Sequence, residues 1–112
     1  MSDCLFCKMV SGDINADVVF QDDKVLAFRD IHPQAPWHLL LIPKQHIANL
    51  NELHNIELGG YLLQTAAKLA AEYGFAEPGY RTVFNCNGDG GQTVFHLHMH
   101  LLAGRQMTWP PG

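Results

Sequence analysis

The segment Phe95-His96-Leu97-His98-Met99-His100-Leu101 alternates apolar and imidazole side chains without a break. A period of two belongs to a strand with one buried and one open face; a helix would scatter the same residues around its axis. Read from Thr93 to Leu102, the strand buries Phe95, Leu97, Met99 and Leu101 on one side and aims His96, His98 and His100 from the other. Neighbouring imidazoles then start about 6.6 Å apart. A wet strand face accounts comfortably for one histidine. Three in register point to chemistry, because neutral imidazole is a nucleophile, a proton carrier and a metal ligand.

That strand needs a sheet. Val18-Val19-Phe20 and Val25-Leu26-Ala27-Phe28 flank the polar turn Gln21-Asp22-Asp23-Lys24, which reads as an antiparallel hairpin. His38 to Ile42 is a short apolar run stopped by Pro43, the length of a buried strand, and Arg81 to Asn85 reads as another. From Ile56 to Tyr73, Leu58, Tyr61, Leu62, Thr65, Leu69 and Tyr73 recur at helical spacing, with Gly74 placed as the stop. Gly59 and Gly60 weaken the first turn by about 1 kcal/mol each. The expectation is α+β with an antiparallel sheet and one main helix. The chain's 112 residues suit one domain, 1–112, and its 47% apolar and 16% charged residues are ordinary globular composition. No apolar run approaches the roughly 20 residues of a membrane span. The N-terminus has no basic leader, so the expected location is cytoplasmic, away from membranes. Eleven acids against seven bases leave a net charge of −4 and no basic stripe, which argues against a nucleic-acid polymer as partner. One phosphate can still be held locally.

Just before the histidines, Asn87-Gly88-Asp89-Gly90-Gly91-Gln92-Thr93 forms a glycine-rich turn whose backbone N–H groups can converge on an anion. Phosphorus chemistry uses both parts: N–H and hydroxyl donors hold the oxygens while an imidazole attacks in line. At a reference pKa near 6.5, that imidazole is largely neutral at pH 7 and needs no separate base.

His96-Leu97-His98-Met99-His100-Leu101-Leu102 resembles the His-x-His-x-His motif of the histidine triad (HIT) superfamily. Ala27-Phe28-Arg29-Asp30-Ile31, Pro33-Gln34-Ala35-Pro36, Gly90-Gly91-Gln92 and the closing Gly104 to Gly112 are similar to its Hint branch of purine nucleoside phosphoramidases. The resemblance implies the HIT fold: a five-stranded antiparallel sheet, one main helix and a short N-terminal helix, with sheets joined across a homodimer. It implies a nucleotidyl hydrolase in which His98 attacks phosphorus and carries the nucleotide covalently, no metal entering that step. By position, it further implies that His100 binds the phosphate, His38 is a fourth active-site histidine, and Thr93 offers a hydroxyl to the scissile linkage. Asn85 and Gln92 fall at phosphate-side positions, Asp30 at the ribose carboxylate, and Phe6, Ile14, Phe28, Ile31 and Leu40 at the apolar walls around a purine base. The tail Trp109-Pro110-Pro111 is expected near a partner subunit's site. His32 and Trp37 depart from the small residues commoner at their positions and are expected at the pocket entrance.

Cys4-Leu5-Phe6-Cys7 sits in a chain of three cysteines, so a metal or reduced thiols are expected rather than a disulfide. A tetrahedral zinc needs two more ligands. The resemblance to bacterial relatives with this CxxC supplies His46 and His96 for a structural zinc; the plain alternative is that the thiols pack as small apolar groups. Cys86 and His54 receive no role. Three functional alternatives remain: a dinucleoside polyphosphate hydrolase using the same nucleophile, a nucleotide-binding or interaction module with incidental hydrolysis, and a zinc hydrolase with His96, His98 and His100 on one metal. The last ranks lowest, since the glycine-rich loop suits a phosphate better than a metal.

Overall fold

The computed structural model describes residues 3–112. In chain order it contains α1 (Leu5–Ser11), β1 (Val18–Gln21), β2 (Val25–Arg29), β3 (Trp37–Pro43), a 3-10 turn at Leu50–Glu52, α2 (Ile56–Glu72), β4 (Tyr80–Phe84), the single-turn α3 (Asn87–Gly90) and β5 (Met99–Ala103). The five strands form one antiparallel sheet in the order β1-β2-β3-β5-β4. This is the α+β architecture expected from the sequence.

Local chemistry explains the elements. In the β1–β2 turn, Asp22 Oδ1 accepts from the N–H groups of Lys24 and Val25 at 2.8 and 2.9 Å, the self-bonding that makes Asp a turn residue. Tyr61 on α2 donates its hydroxyl to the other oxygen of the same carboxylate. β3 is buried along its whole length because both faces of the sheet are covered there. Leu39 and Leu41 pack with Leu58, Leu62, Ala66 and Leu69 of α2; Leu40 and Ile42 pack on the opposite face with Phe6 of α1, Leu26 and Phe28. Asn55 caps α2 by accepting from Leu58 N at 3.1 Å, and Gly74 follows the helix at φ +87°, the left-handed stop its sequence position suggests.

The last strand departs from expectation. It begins at Met99 rather than Thr93: Met99 pairs with Phe84, where β4 ends, and with Leu41 of β3, which continues two residues further to Pro43 without a partner on this side. The Leu97 N–H bonds instead to Ile47 O at 2.6 Å. Residues 93–98 therefore cross the end of the sheet as irregular chain. Leu97, Met99 and Leu101 are buried as the alternation requires, but Phe95 is 51% exposed. The glycine-rich segment expected as a loop folds into the α3 turn, ended by Gly91 at φ +81°.

Candidate active site

On the sheet face opposite α2, a cleft of about 430 Å³ opens between α1 and residues 93–100. Phe6, Phe28 and Leu40 supply apolar wall, while Asp30, Thr93, His98 and His100 bring polar groups to it. The cleft exists because α1 is only seven residues long and shields part of this face, whereas the 17-residue α2 seals the other.

The imidazoles divide into a proton acceptor and a proton donor, and backbone groups fix the division. His98 Nδ1 lies 2.8 Å from the His96 carbonyl, to which it donates, so its Nε2 carries the lone pair. On the neighbouring strand, His38 Nδ1 accepts from Gln34 N at 2.9 Å, which places the proton of neutral His38 on Nε2. That Nε2–H donates to His100 Nδ1 at 2.9 Å, leaving neutral His100 with its own proton on Nε2. His98 thus offers a nucleophilic nitrogen and His100 an N–H, their rings 5.2 Å apart. Both members of the His38–His100 pair are kept neutral. Burial and the neighbouring His98 and His38 lower His100 to about 4, and burial lowers His38 against an opposing pull from Asp30. Asp30 Oδ2 stands 3.5 Å from His38 Nε2, and its Oδ1 accepts from His32 N at 2.8 Å.

The other expected positions scatter. Ile31 stands at the cleft rim, 85% exposed. Ile14, Asn85 and Gln92 are not on the wall. Ile14 lies in the α1–β1 connection, its N–H bonded to Lys8 O, and Asn85 follows β4 half-buried. Gln92 is buried and its amide is spent on backbone: Oε1 accepts from Asn87 N, while Nε2 donates to Ala48 O and Val94 O. It ties the α3 turn to the loop after β3. His32 does line the cleft entrance. Trp37 does not: the pleat turns it to the α2 face, where its ring lies 4.8 Å from Phe75 and 5.2 Å from Tyr73. Sequence reasoning missed Leu5 and Met9, which also face the cleft from α1 and whose i, i+4 spacing was the available signal. It also missed the Arg29–Asp17 pair, 3.5 Å apart at the rim.

His96 leaves the row of three. It is fully buried, its Nε2–H donates to Pro43 O at 2.8 Å, and the bare Nδ1 faces two sulfurs, 3.3 Å from Cys4 Sγ and 3.5 Å from Cys7 Sγ. His46 Nδ1 is 3.3 Å from Cys7 Sγ, and all four donor atoms lie within 4.8 Å of one another. The three nitrogen–sulfur distances of 3.3, 3.3 and 3.5 Å match edges of a tetrahedron around one ion with bonds of about 2.0–2.3 Å, and the donor set is one that suits zinc. The carbonyl behind His96 supplies the outer partner such a ligand ordinarily has. All three cysteines are free thiols, and burial together with Cys4 pushes the Cys7 thiol up, a cost that a bound cation would reverse. Because His96 turns to the cysteines, His96, His98 and His100 do not converge on a common centre.

Residues 11–107 match the family model described as the HIT domain. The chain is 48% identical over 106 residues to the purine nucleoside phosphoramidase of Escherichia coli, covering 92% of this chain and 88% of that protein. It is 50% identical over 116 residues to a 14 kDa zinc-binding protein of Zea mays, covering 99% and 89%. A crystal structure of a HIT family hydrolase from Legionella pneumophila superposes with a TM-score of 0.96 at 59% identity, covering 98% of this chain and all of that one.

Proposed function

This chain belongs to the HIT domain family, and from that membership we propose that it is a nucleotide hydrolase cleaving the P–N bond of purine nucleoside 5′-phosphoramidates. The name of the E. coli relative supports this substrate class. The observation that carries the reading is the fixed division of labour in the cleft, with a bare Nε2 on His98 beside an Nε2–H on His100.

Nucleophilic catalysis splits the hydrolysis into two displacements. The apolar wall of Phe6, Phe28 and Leu40 receives the base, with Ile31 at the rim, and Asp30 accepts from the ribose hydroxyls. His100 donates to a phosphoryl oxygen and Thr93 places its hydroxyl near the scissile linkage. His98 Nε2 then attacks phosphorus, the P–N bond breaks, and the amine leaves carrying a proton from water. The His96 carbonyl stabilises the resulting cationic ring through Nδ1–H. Water attacks the same phosphorus next, releasing the nucleoside monophosphate and restoring His98. Gln92 acts from behind, by holding the turn that leads into Thr93.

Cys4, Cys7, His46 and His96 would hold a structural zinc, which supplies cross-links and no chemistry at phosphorus; the zinc-binding relative supports this. Residues 1–112 act as a single cytoplasmic domain whose sheet joins that of a second copy. β4 supports the pairing, being an edge strand with a free row of backbone groups. Among the described residues no helix is long and apolar enough to cross a membrane.

Mixing the protein with an adenosine phosphoramidate and quenching within a turnover is expected to give an intact-mass increase of one adenylyl group. His98→Ala should show no adduct and lose turnover by at least roughly 10³-fold, while still binding adenosine monophosphate. Wild-type turnover in that variant would overturn the mechanism.

A further inference from the structure

The Cys/His cluster and the cleft share parts. His96 belongs to both: its ring faces the sulfurs of Cys4 and Cys7, and its carbonyl holds Nδ1 of His98 at 2.8 Å. Phe6 belongs to both as well. It sits inside the Cys4-Leu5-Phe6-Cys7 turn, is 4% exposed, and presents an edge-to-face contact to His98 at 5.2 Å and to His96 at 5.9 Å. It also meets Phe28 across the cleft wall at 5.5 Å. Phe6 is the one buried residue of α1, and a seven-residue helix is far below the length that is stable alone. What anchors α1 to the sheet is therefore this ring, with Met9 and Val10 partly buried beside it, and the two cysteines at its N-terminal end.

We infer that the Cys4–Cys7–His46–His96 centre is a positioning device for the reaction, with Phe6 as the residue that transmits it. Closing the four ligands around one ion fixes the turn carrying Phe6, which presses the His98 ring into the orientation its bond to the His96 carbonyl requires. The same closure sets Leu5 and Met9 along the cleft. Opening the centre leaves the sheet and α2 in place and frees one wall of the cleft together with one side of the nucleophile. Phe6 lines the base wall and, through its edge-to-face contact, also positions His98; the ion touches no substrate. The inference rests on the proposed roles of the cleft and of His98, and it adds that occupancy of the cluster governs both.

The test uses the full-length protein with zinc, the same protein stripped by a chelator, and Phe6→Leu loaded with zinc. Each is titrated with adenosine monophosphate, and the ¹⁵N resonances of the His98 ring are recorded. Removing zinc should weaken nucleotide binding roughly tenfold, the loss of one packed aromatic wall, and shift both His98 ring resonances, while far-UV circular dichroism keeps its sheet and helix signal. Phe6→Leu should retain one equivalent of zinc and shift the same His98 resonances in the absence of nucleotide; since Phe6 also lines the base wall, those resonances and not the affinity report its positioning role, and they do so even if the stripped protein unfolds. Unchanged affinity and unchanged His98 resonances in stripped protein, or unchanged resonances in Phe6→Leu, would overturn the inference, as would a chain that takes up no zinc. A protein without phosphoramidate turnover that still loses adenosine monophosphate on zinc removal would refute the phosphoramidase reading and support this one.

Discussion

The two longer helices cover opposite faces of the same sheet on different terms. α2 has 17 residues and buries Leu58, Leu62, Thr65, Ala66, Leu69 and Ala70 along one stripe; α1 has seven and buries Phe6 alone. Ordinary hydrophobic burial holds the first. The second buries less, Phe6 fully with Met9 and Val10 partly buried beside it, and its N-terminal Cys4 and Cys7 reach His96. Where the cover is complete the molecule is a core, and where it is partial the sheet keeps an apolar floor with room above it. The cleft histidines stand at the end of that incompletely covered face, so the larger core and the candidate site lie on opposite sides of one sheet.

The strongest attack on this comparison is to damage the sealed face. Leu62 is fully buried between α2 and β3. Leu62→Ala should cost about 3 kcal/mol of unfolding free energy, measured by urea denaturation. At a temperature where the variant remains folded, its kcat/KM should stay within about twofold of wild type, since distant sites are largely independent. A large loss of activity in a folded Leu62→Ala protein would mean that the two faces are not separable.

A smaller effect should come from acid, and it arises on the open face. In the unfolded chain His38 and His100 take up protons near pH 6.5, whereas in the folded protein His38 resists and His100 stays neutral down to about 4. Between those values the unfolded state binds more protons, so stability falls as the pH drops through the window and is fully present above it. Urea midpoints measured from pH 7 to pH 4.5 should decline, and His100→Gln should flatten the decline. An equally steep decline in that variant would place the acid sensitivity elsewhere.

The same division explains what was legible in the sequence. The sealed face could be read almost residue by residue, because the run Leu39 to Ile42 and the spacing of Leu58, Leu62 and Leu69 are determined by burial, which side-chain type reports directly. The pair of cleft histidines was legible for a related reason: His98, just before β5, and His100, within it, keep the period of two. What escaped notice depends on backbone groups that no side chain announces. The carbonyl of Pro43 turns His96 away from its neighbours, the carbonyl of His96 sets the tautomer of His98, and the carbonyls of Ala48 and Val94 absorb the amide of Gln92. Alternation alone carries Phe95 inward, but β5 starts only at Met99 and Phe95 is exposed; Trp37 opens β3 on the α2 face, a side that the apolar run after it does not reveal.

The mildest test compares the two helix caps. Asn55 accepts from Leu58 N at 3.1 Å at the head of α2; Cys4 accepts from Cys7 N through its sulfur at 3.2 Å at the head of α1. An amide oxygen is a good acceptor with no other duty there, and six buried side chains hold α2 whether or not the cap is present. Asn55→Ala should therefore cost about 1 kcal/mol by urea denaturation and leave adenosine monophosphate affinity unchanged. Sulfur is a weak acceptor, so the cap bond lost in Cys4→Ser matters little to α1; on the proposed zinc centre the same atom would be a ligand, and its loss should weaken nucleotide binding even where the unfolding free energy changes no more than in Asn55→Ala. The contrast lies in what each cap is connected to. If Asn55→Ala weakened binding as much as Cys4→Ser, both helices would be acting on the cleft through global stability, and the division between a sealed face and an assembled one would fail.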